Sequence, residues 1–167
     1  VLIVRSKQLA VLKISLINRL LLESAGEGIC GVDVNGLTIF VNPAAAKMLG
    51  FTAEELFGKK LHTLTHHTKP DGQPYPEHEC PIARTSEDST VHRGSDEFFF
   101  HKDGRAIPIM YSSRAIVDRG RVTGAVICFQ DITERKQAEA KLLEVNRCLE
   151  TATAQANEMA AQAEMAN

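Results

Sequence analysis

The stretch HHTKPDGQPYPEHECPI, residues 66–82, holds the side chains of this 167-residue chain that are best suited to chemistry. His66, His67, His78 and Cys80 offer imidazole and thiolate groups, which bind zinc or haem iron. Their spacing matches no common zinc pattern, because ten residues separate the adjacent histidines from a His-x-Cys pair. Adjacent side chains also diverge on a helix or strand, so at most one of His66 and His67 is expected at a given site.

Two other interpretations of this stretch stay open. Cys80 precedes Pro81, and a cysteine at a helix start has a lowered thiol pKa and is sensitive to oxidation. The residues between the histidines and Cys80 favour a rigid, exposed turn, because they contain Asp71-Gly72 and three prolines. In that case the histidines act only as helix caps or as partners of backbone groups.

The overall composition and the motifs of the chain argue against some classes of function. Nineteen basic and twenty-one acidic side chains give a net charge of −2, which does not favour nucleic acid as a partner. The four cysteines are widely spaced without a CxxC pair, as in a reducing compartment, so a cytoplasmic location is predicted. No Ser-His-Asp order, glycine-rich phosphate loop or carboxylate pair indicates catalysis, and the chain is not expected to be an enzyme.

The ends of the chain predict that it is part of a longer protein. It begins with Val1 rather than methionine and ends in AEMAN, without a helix stop signal. VLIV followed by Arg5 and Lys7 fits the inner end of a transmembrane helix. Four apolar residues are too few to establish such a helix, and a membrane-anchored parent protein stays an alternative.

The sequence divides into three segments, which together must position the histidines and the cysteine of the proline-rich stretch. The first segment covers residues 1–23. Apolar side chains recur there at Leu9, Leu12, Leu16 and Leu20, which predicts an amphipathic helix. A face this apolar needs a partner surface, either on the following domain or on a second copy of the chain.

Residues 24–133 alternate between strand and helix signals. Two β runs, ICGVDV and LTIFVN, are joined by an Asn-Gly pair, which predicts a hairpin with a type I′ turn. An Asn-Pro pair and a Thr-x-x-Glu capping box then begin two short helices. After the proline-rich stretch, turn signals separate three further runs, DEFFFHK, AIPIMYSSRAIV and VTGAVICFQDI. The order is therefore two strands, short helices and three strands.

Residues 134–167 contain neither glycine nor proline and predict a long helix. Its apolar residues step by three and four along a heptad seam of Leu142, Val145, Leu149, Ala152, Ala156, Met159, Ala163 and Ala166. A single helix of this kind is marginal in water. The seam therefore predicts a parallel two-stranded coiled coil and a homodimer, in which the N-terminal helix would also take part. A single helix packed on its own domain is the alternative.

Two stretches of the chain resemble a known family. LLLESAGEGICGVDVNGLTIFVNPAAAKMLGFTAEELFGKKL and, much later, GAVICFQDITERKQAEAKL are similar to PAS (Per-Arnt-Sim) sensor domains, over roughly residues 20–136. The most specific parts are the helical pair NPAAAKMLGFTAEEL and the DIT triplet of Asp131, Ile132 and Thr133. The resemblance implies an α+β fold, with a five-stranded antiparallel sheet of strand order 2-1-5-4-3 and short helices on one face.

The resemblance also implies a role in signalling. PAS domains are sensory and dimerisation modules, and the resemblance implies that this one belongs to a bacterial-type sensor histidine kinase of a two-component system. Asp131, Ile132 and Thr133 would relay a signal from the sheet to the following helix, which is similar to the helices that join PAS domains to output domains. The phosphoacceptor histidine motif is absent, so kinase activity would lie in an output domain beyond Asn167.

A cavity between sheet and helices would receive an unidentified small molecule, or none. Strand alternation and helix faces predict a lining of Ile39, Val41, Met48, Leu56, Leu61, Leu64, Ile82, Phe98, Phe100, Ile109, Tyr111 and Ile127. The proline-rich stretch would stand at the mouth of this cavity.

No cofactor is favoured. Light-oxygen-voltage members of the family carry a cysteine in the region that reads KKLHTLTHH here, so flavin photochemistry is not expected. Haem-binding members hold iron with a histidine from the next helix, and the matching CPIARTSED contains none. Haem or a metal at His66, His67, His78 or Cys80 stays an alternative, as does a ligand-free dimerising spacer.

Overall fold

The computed structural model describes residues 26–165 and, before them, Lys13, Ile17, Leu20 and Leu22. The predicted helix over residues 1–23, with its role in a dimer, lies outside the described residues. Two compact units follow one another along the chain, and the boundary between them falls after Asp131.

The first unit is built on a five-stranded antiparallel sheet. Its strands are β1 (Gly28–Asp33), β2 (Thr38–Val41), β3 (His92–Phe100), β4 (Ala106–Asp118) and β5 (Arg121–Asp131). Between β2 and β3 the chain forms α1 (Pro43–Leu49), α2 (Ala53–Leu56), α3 (Leu61–Thr65), a 3₁₀ turn (Glu77–Glu79) and α4 (Pro81–Asp88). The strand order is β2-β1-β5-β4-β3. The predicted α+β class and the predicted strand order are therefore confirmed.

The helix signals in the sequence act as expected. The Asn42 side chain caps α1 by accepting from the Ala45 N–H, and Gly50 ends the helix in a left-handed conformation with φ of 72°. Thr52 and Glu55 form the reciprocal capping box at the start of α2. Local capping therefore defines both helices before any packing is considered.

The β1–β2 loop differs from the predicted type I′ turn. A type I′ turn needs positive φ at both central residues, but among the loop residues only Gly36 has a positive φ. The Asp33 carboxylate instead accepts hydrogen bonds from the N–H groups of Asn35 and Leu37, both at 2.9 Å. This side-chain cap stabilises a three-residue loop in place of the two-residue turn.

Because of irregularities in β2 and β3, three of the predicted lining residues do not face the core. In β2, Gly31 pairs with Phe40 and Val32 with Thr38, so Ile39 is an extra residue and is 47% exposed. The prediction that Ile39 lines the cavity is therefore wrong.

The prediction for Phe98 and Phe100 is also wrong. An irregularity between Gly94 and Glu97 changes the register of β3, and Phe99 then pairs with Ile107 and is buried. Phe98 and Phe100 are only partly buried on the alternate positions. Three consecutive phenylalanines carry no alternation, so the sequence did not indicate which of them faces the core.

The second unit is the single helix α5 (Thr133–Met165), which is 33 residues long. It begins one residue earlier than predicted. Its seam residues Leu142, Val145 and Leu149 are 62%, 46% and 60% exposed. Within the part of the chain that the structure describes, no helix combines the length and the apolar character needed to cross a membrane.

One buried amide joins the start of α1 to β1 and to the segment before β1. Asn42 is 1% exposed, and its Oδ1 accepts from the N–H groups of Ile29 and Ala45, both at 2.9 Å. Its Nδ2 donates to the carbonyls of Leu22 at 3.0 Å and Glu27 at 2.9 Å. All the hydrogen-bonding capacity of this amide is thereby used.

Replacing Asn42 should destabilise the domain. Asn42→Ala removes four hydrogen bonds made by an amide that is 1% exposed, so the free energy of unfolding is expected to fall by about 3 kcal/mol or more. Urea unfolding followed by circular dichroism measures this. The exposed loop variant Asn35→Ala is the control, with an expected loss below about 1 kcal/mol; equal losses would contradict the assigned role of Asn42.

Candidate functional site

A buried polar cluster joins three elements of the first unit. His66 follows α3, Cys80 caps α4 and Glu97 lies on β3. His66 and Cys80 are 2% and 1% exposed. His66 Nδ1 lies 3.1 Å from Cys80 Sγ, and His66 Nε2 lies 3.1 Å from a carboxylate oxygen of Glu97. The imidazole thus bridges a sulfur and a carboxylate.

Helical geometry places His62 beside His66. The His66 N–H donates to the His62 carbonyl at 2.9 Å, which closes the last turn of α3. Residues four apart lie on the same helix face, and the two imidazole rings meet edge to face at 5.7 Å between centroids. His62 is therefore part of the cluster.

The proline-rich segment folds back over the histidines. The N–H of Lys69 donates to the Gln73 carbonyl and that of Tyr75 to the His67 carbonyl, both at 2.8 Å, so the segment forms a tight turn. The turn returns Tyr75 to the cluster. Its carbonyl lies 2.8 Å from His62 Nε2, and its hydroxyl donates to Glu97 at 3.2 Å.

The two central groups shift each other's protonation. Burial acts to raise the pKa of the Cys80 thiol, but the hydrogen bond and charge of His66 and the N–H of Ala83 outweigh it, so this pKa is lowered. Burial acts to lower the pKa of His66, but its hydrogen bonds to Cys80 and Glu97 outweigh it and raise this pKa to about 9. Each group therefore favours the charged form of the other, the thiolate at Cys80 and the imidazolium at His66.

Cys30 shows what burial does without such neighbours. It is fully buried, and burial, with a smaller contribution from Cys128, raises the pKa of its thiol to about 12. The two buried cysteines of the domain are thus different in kind. Cys30 is a small core residue, whereas Cys80 presents an anionic sulfur at the start of α4.

A small cavity adjoins the cluster. Its volume is about 30 Å³, and His62, His66 and Cys80 form part of its wall. This is room for water or an ion, whereas pockets for small molecules measure roughly 300–1,000 Å³. Three of the predicted lining residues, Leu61, Ile82 and Ile127, do line it.

The other predicted site residues lie elsewhere. Leu56, Ile109 and Tyr111 are buried core residues outside this cavity wall, and Val41, Met48 and Leu64 pack partly buried against the core. Among the predicted ligands, His67 is exposed and stacks on Phe100 at 4.5 Å. The His78 side chain is 81% exposed. The structure therefore brings His66 and Cys80 together and leaves His67 and His78 outside the cluster.

Sequence reasoning missed three members of the cluster. His62 could have been found, because it precedes His66 by four residues, which is the spacing of neighbours on one helix face. Tyr75 and Glu97 gave no comparable signal. They reach the cluster only through the turn after His67 and through the register of β3.

Solved structures share the architecture of the first unit. The PAS domain of an HTR-like protein from Haloarcula marismortui aligns with a TM-score of 0.60 and 14% identity, over 77% of this chain and 99% of that chain. A PAS domain from Colwellia psychrerythraea aligns with a TM-score of 0.59 and 20% identity, over 72% and 98%. At these identities the likeness establishes the fold.

The chain belongs to the PAS family, since the family model described as PAS fold matches residues 17–132. It is similar to the signal transduction histidine-protein kinase AtoS of Escherichia coli (strain K12), at 28% identity over 78% of this chain and 20% of AtoS. It also matches Probable diguanylate cyclase DgcE of the same organism, at 32% identity over 70% of this chain and 10% of DgcE. The chain thus spans a fifth or less of the length of these relatives.

Removing the bridging imidazole should destabilise the first unit. His66→Ala removes the imidazole that bridges Cys80 and Glu97 and leaves both groups without that partner, so a loss of about 3 kcal/mol in the free energy of unfolding is expected. His67→Ala is the matched control, because it removes an exposed imidazole one residue away, and should cost less than about 1 kcal/mol. Urea unfolding in chelator-treated buffer compares the two, and a smaller loss for His66→Ala than for His67→Ala would refute the assignment.

Proposed function

We propose that this chain is the sensory and dimerisation module of a cytoplasmic signalling protein of the histidine-kinase type. In this proposal it carries no catalysis of its own and passes a change in the PAS domain through Asp131, Ile132 and Thr133 to a coiled coil of two α5 helices. The observation that carries the proposal is the apolar seam of α5. It is regular in sequence and exposed in the single chain.

The seam favours pairing with a second copy. Leu142, Val145 and Leu149 expose roughly half or more of their side chains to water, and such a stripe on one face marks an interaction surface. Spacing by three and four is the pattern of left-handed coiled coils.

A continuous row of residues supports the relay. Glu97 pairs with Ile109 across β3 and β4, and Ile109 pairs with Asp131 across β4 and β5. Adjacent strands lie about 4.8 Å apart, so the carboxylate of the cluster stands about 10 Å across the sheet from the first residue of the DIT triplet. Only Ile132 separates the end of β5 from the start of α5. A displacement of β3 would therefore pass through backbone hydrogen bonds to this junction.

The relatives support a module that is separable from its output. One is named a histidine kinase and the other a diguanylate cyclase, and each is at least five times the length of the matched region. Similar domains thus occur in proteins with different outputs. We accordingly propose that the output domain of this protein follows residue 167.

The dimer has a direct test. Leu142→Glu combined with Leu149→Glu places charges in the seam and is expected to convert a dimer to a monomer, since buried like charges oppose pairing. Multi-angle light scattering of the eluting protein measures the mass. Leu143→Glu is the matched control, because Leu143 is 72% exposed and lies off the seam, and it should leave the dimer intact. A monomeric parent chain, or a dimer that survives the double substitution, would refute the coiled coil.

A further inference from the structure

Three ligand-type side chains converge beside the small cavity. One ligand atom from each of His62, His66 and Cys80 lies within 4.8 Å of the other two, and His66 Nδ1 is 3.1 Å from Cys80 Sγ. Around a tetrahedral zinc ion, bonds of about 2.0 Å to nitrogen and 2.3 Å to sulfur place ligand atoms about 3.3–3.6 Å apart. Small shifts of these side chains are enough to reach that geometry.

Each imidazole is already oriented through its outer nitrogen. His62 Nε2 lies 2.8 Å from the Tyr75 carbonyl, which can only accept, so Nε2 carries the proton and Nδ1 carries the lone pair. His66 Nε2 is held in the same way by the Glu97 carboxylate. Histidines that bind metals characteristically donate their second N–H to a backbone carbonyl or a carboxylate. Both arrangements occur here.

The inner nitrogen of His62 lacks a partner. His62 Nδ1 is buried and makes no hydrogen bond to any residue that the structure describes. A buried acceptor left unpaired costs about 1–3 kcal/mol. A cation placed among His62, His66 and Cys80 would use this lone pair.

An ion would also balance the charge of the cluster. The cluster places the Cys80 sulfur and the Glu97 carboxylate at the two nitrogens of the His66 ring. A divalent cation would replace the His66 Nδ1 proton and bind two neutral imidazoles and the thiolate. The charges of the ion, the thiolate and the carboxylate then sum to zero within a buried site.

We infer that His62, His66 and Cys80 bind one divalent transition-metal ion of the zinc class, with water from the adjacent cavity as the fourth ligand. Two imidazoles and a thiolate suit zinc or cobalt and do not suit magnesium or calcium, which prefer oxygen ligands. The cavity of about 30 Å³ is large enough for that water. The site lies wholly within the first unit and does not depend on the coiled coil.

Cobalt is the probe for the experiment, because a Co²⁺ ion bound to thiolate absorbs in the near ultraviolet and tetrahedral Co²⁺ absorbs in the visible. The full chain carries a Cys148→Ser substitution, which removes the exposed thiol, and is stripped with chelator under reducing conditions. Titration should show one cobalt per chain, displaced by zinc. Zinc should also raise the melting temperature.

Three variants test the ligands. Cys80→Ser should abolish the thiolate-to-cobalt band, and His62→Ala should weaken binding at least tenfold. Glu97→Gln alters no proposed ligand but weakens the support of His66 and the contact with the Tyr75 hydroxyl, and should weaken binding by about 10–100-fold while the band remains. Circular dichroism checks that each variant is folded.

Two controls lie outside the cluster. His67→Ala removes an exposed neighbouring imidazole, and Cys30→Ser alters a different buried thiol; both should bind cobalt like the parent. Binding by the Leu142→Glu, Leu149→Glu chain should also be unchanged, so failure of the dimer and failure of the metal site are distinguishable. The inference would be overturned if the reduced parent bound neither cobalt nor zinc. It would also be overturned if Cys80→Ser and His62→Ala bound cobalt as tightly as the parent does.

Discussion

The hydrogen-bonded bridge from Cys80 through His66 to Glu97 is the contact on which the helical side of this domain depends. Charged groups in a buried site must find partners, because each unpaired one costs several kcal/mol. The three residues come from distant parts of the chain, so satisfying one imidazole requires α3, the start of α4 and β3 to meet. The proline-rich segment completes the arrangement by returning Tyr75 to the same carboxylate.

The same contact fixes the position of the helices relative to the sheet. In many domains the helices covering a sheet could move by small amounts at little cost, because apolar surfaces slide. Here a directional, charged interaction connects them to a particular strand. The paired residues Glu97, Ile109 and Asp131 form a row that joins the cluster to the end of β5 across the sheet.

Features of this structure that depend on residues close in sequence could be predicted, and features that depend on distant residues could not. Capping signals act over three or four residues, so the starts of α1 and α2 at Asn42 and Thr52 were readable directly from the sequence. Strand order came from the resemblance to the PAS family. The faces of β2 and β3 were not readable, because bulges at Ile39 and before Glu97 interrupt the period of two on which such predictions rest.

The candidate site was half predictable for a similar reason. His66 and Cys80 attracted notice as ligand types, and the prediction that only one of the adjacent histidines would face a site agrees with the exposure of His67. Their pairing needed tertiary structure. Glu97 is separated from Cys80 by a helix and half a strand, and no local pattern relates the two.

The bulge in β3 has a consequence for comparing related sequences. Gly94 pairs with Tyr111 and Glu97 pairs with Ile109, so three residue steps along β3 lie opposite two residue steps along β4. Loss of one residue at positions 95–96 would regularise the strand and leave both pairs unchanged. Relatives without the bulge would therefore carry the carboxylate one position closer to α4 in their sequences. An alignment should place a gap there, since an ungapped one would set a phenylalanine-type position against Glu97 and conceal the carboxylate.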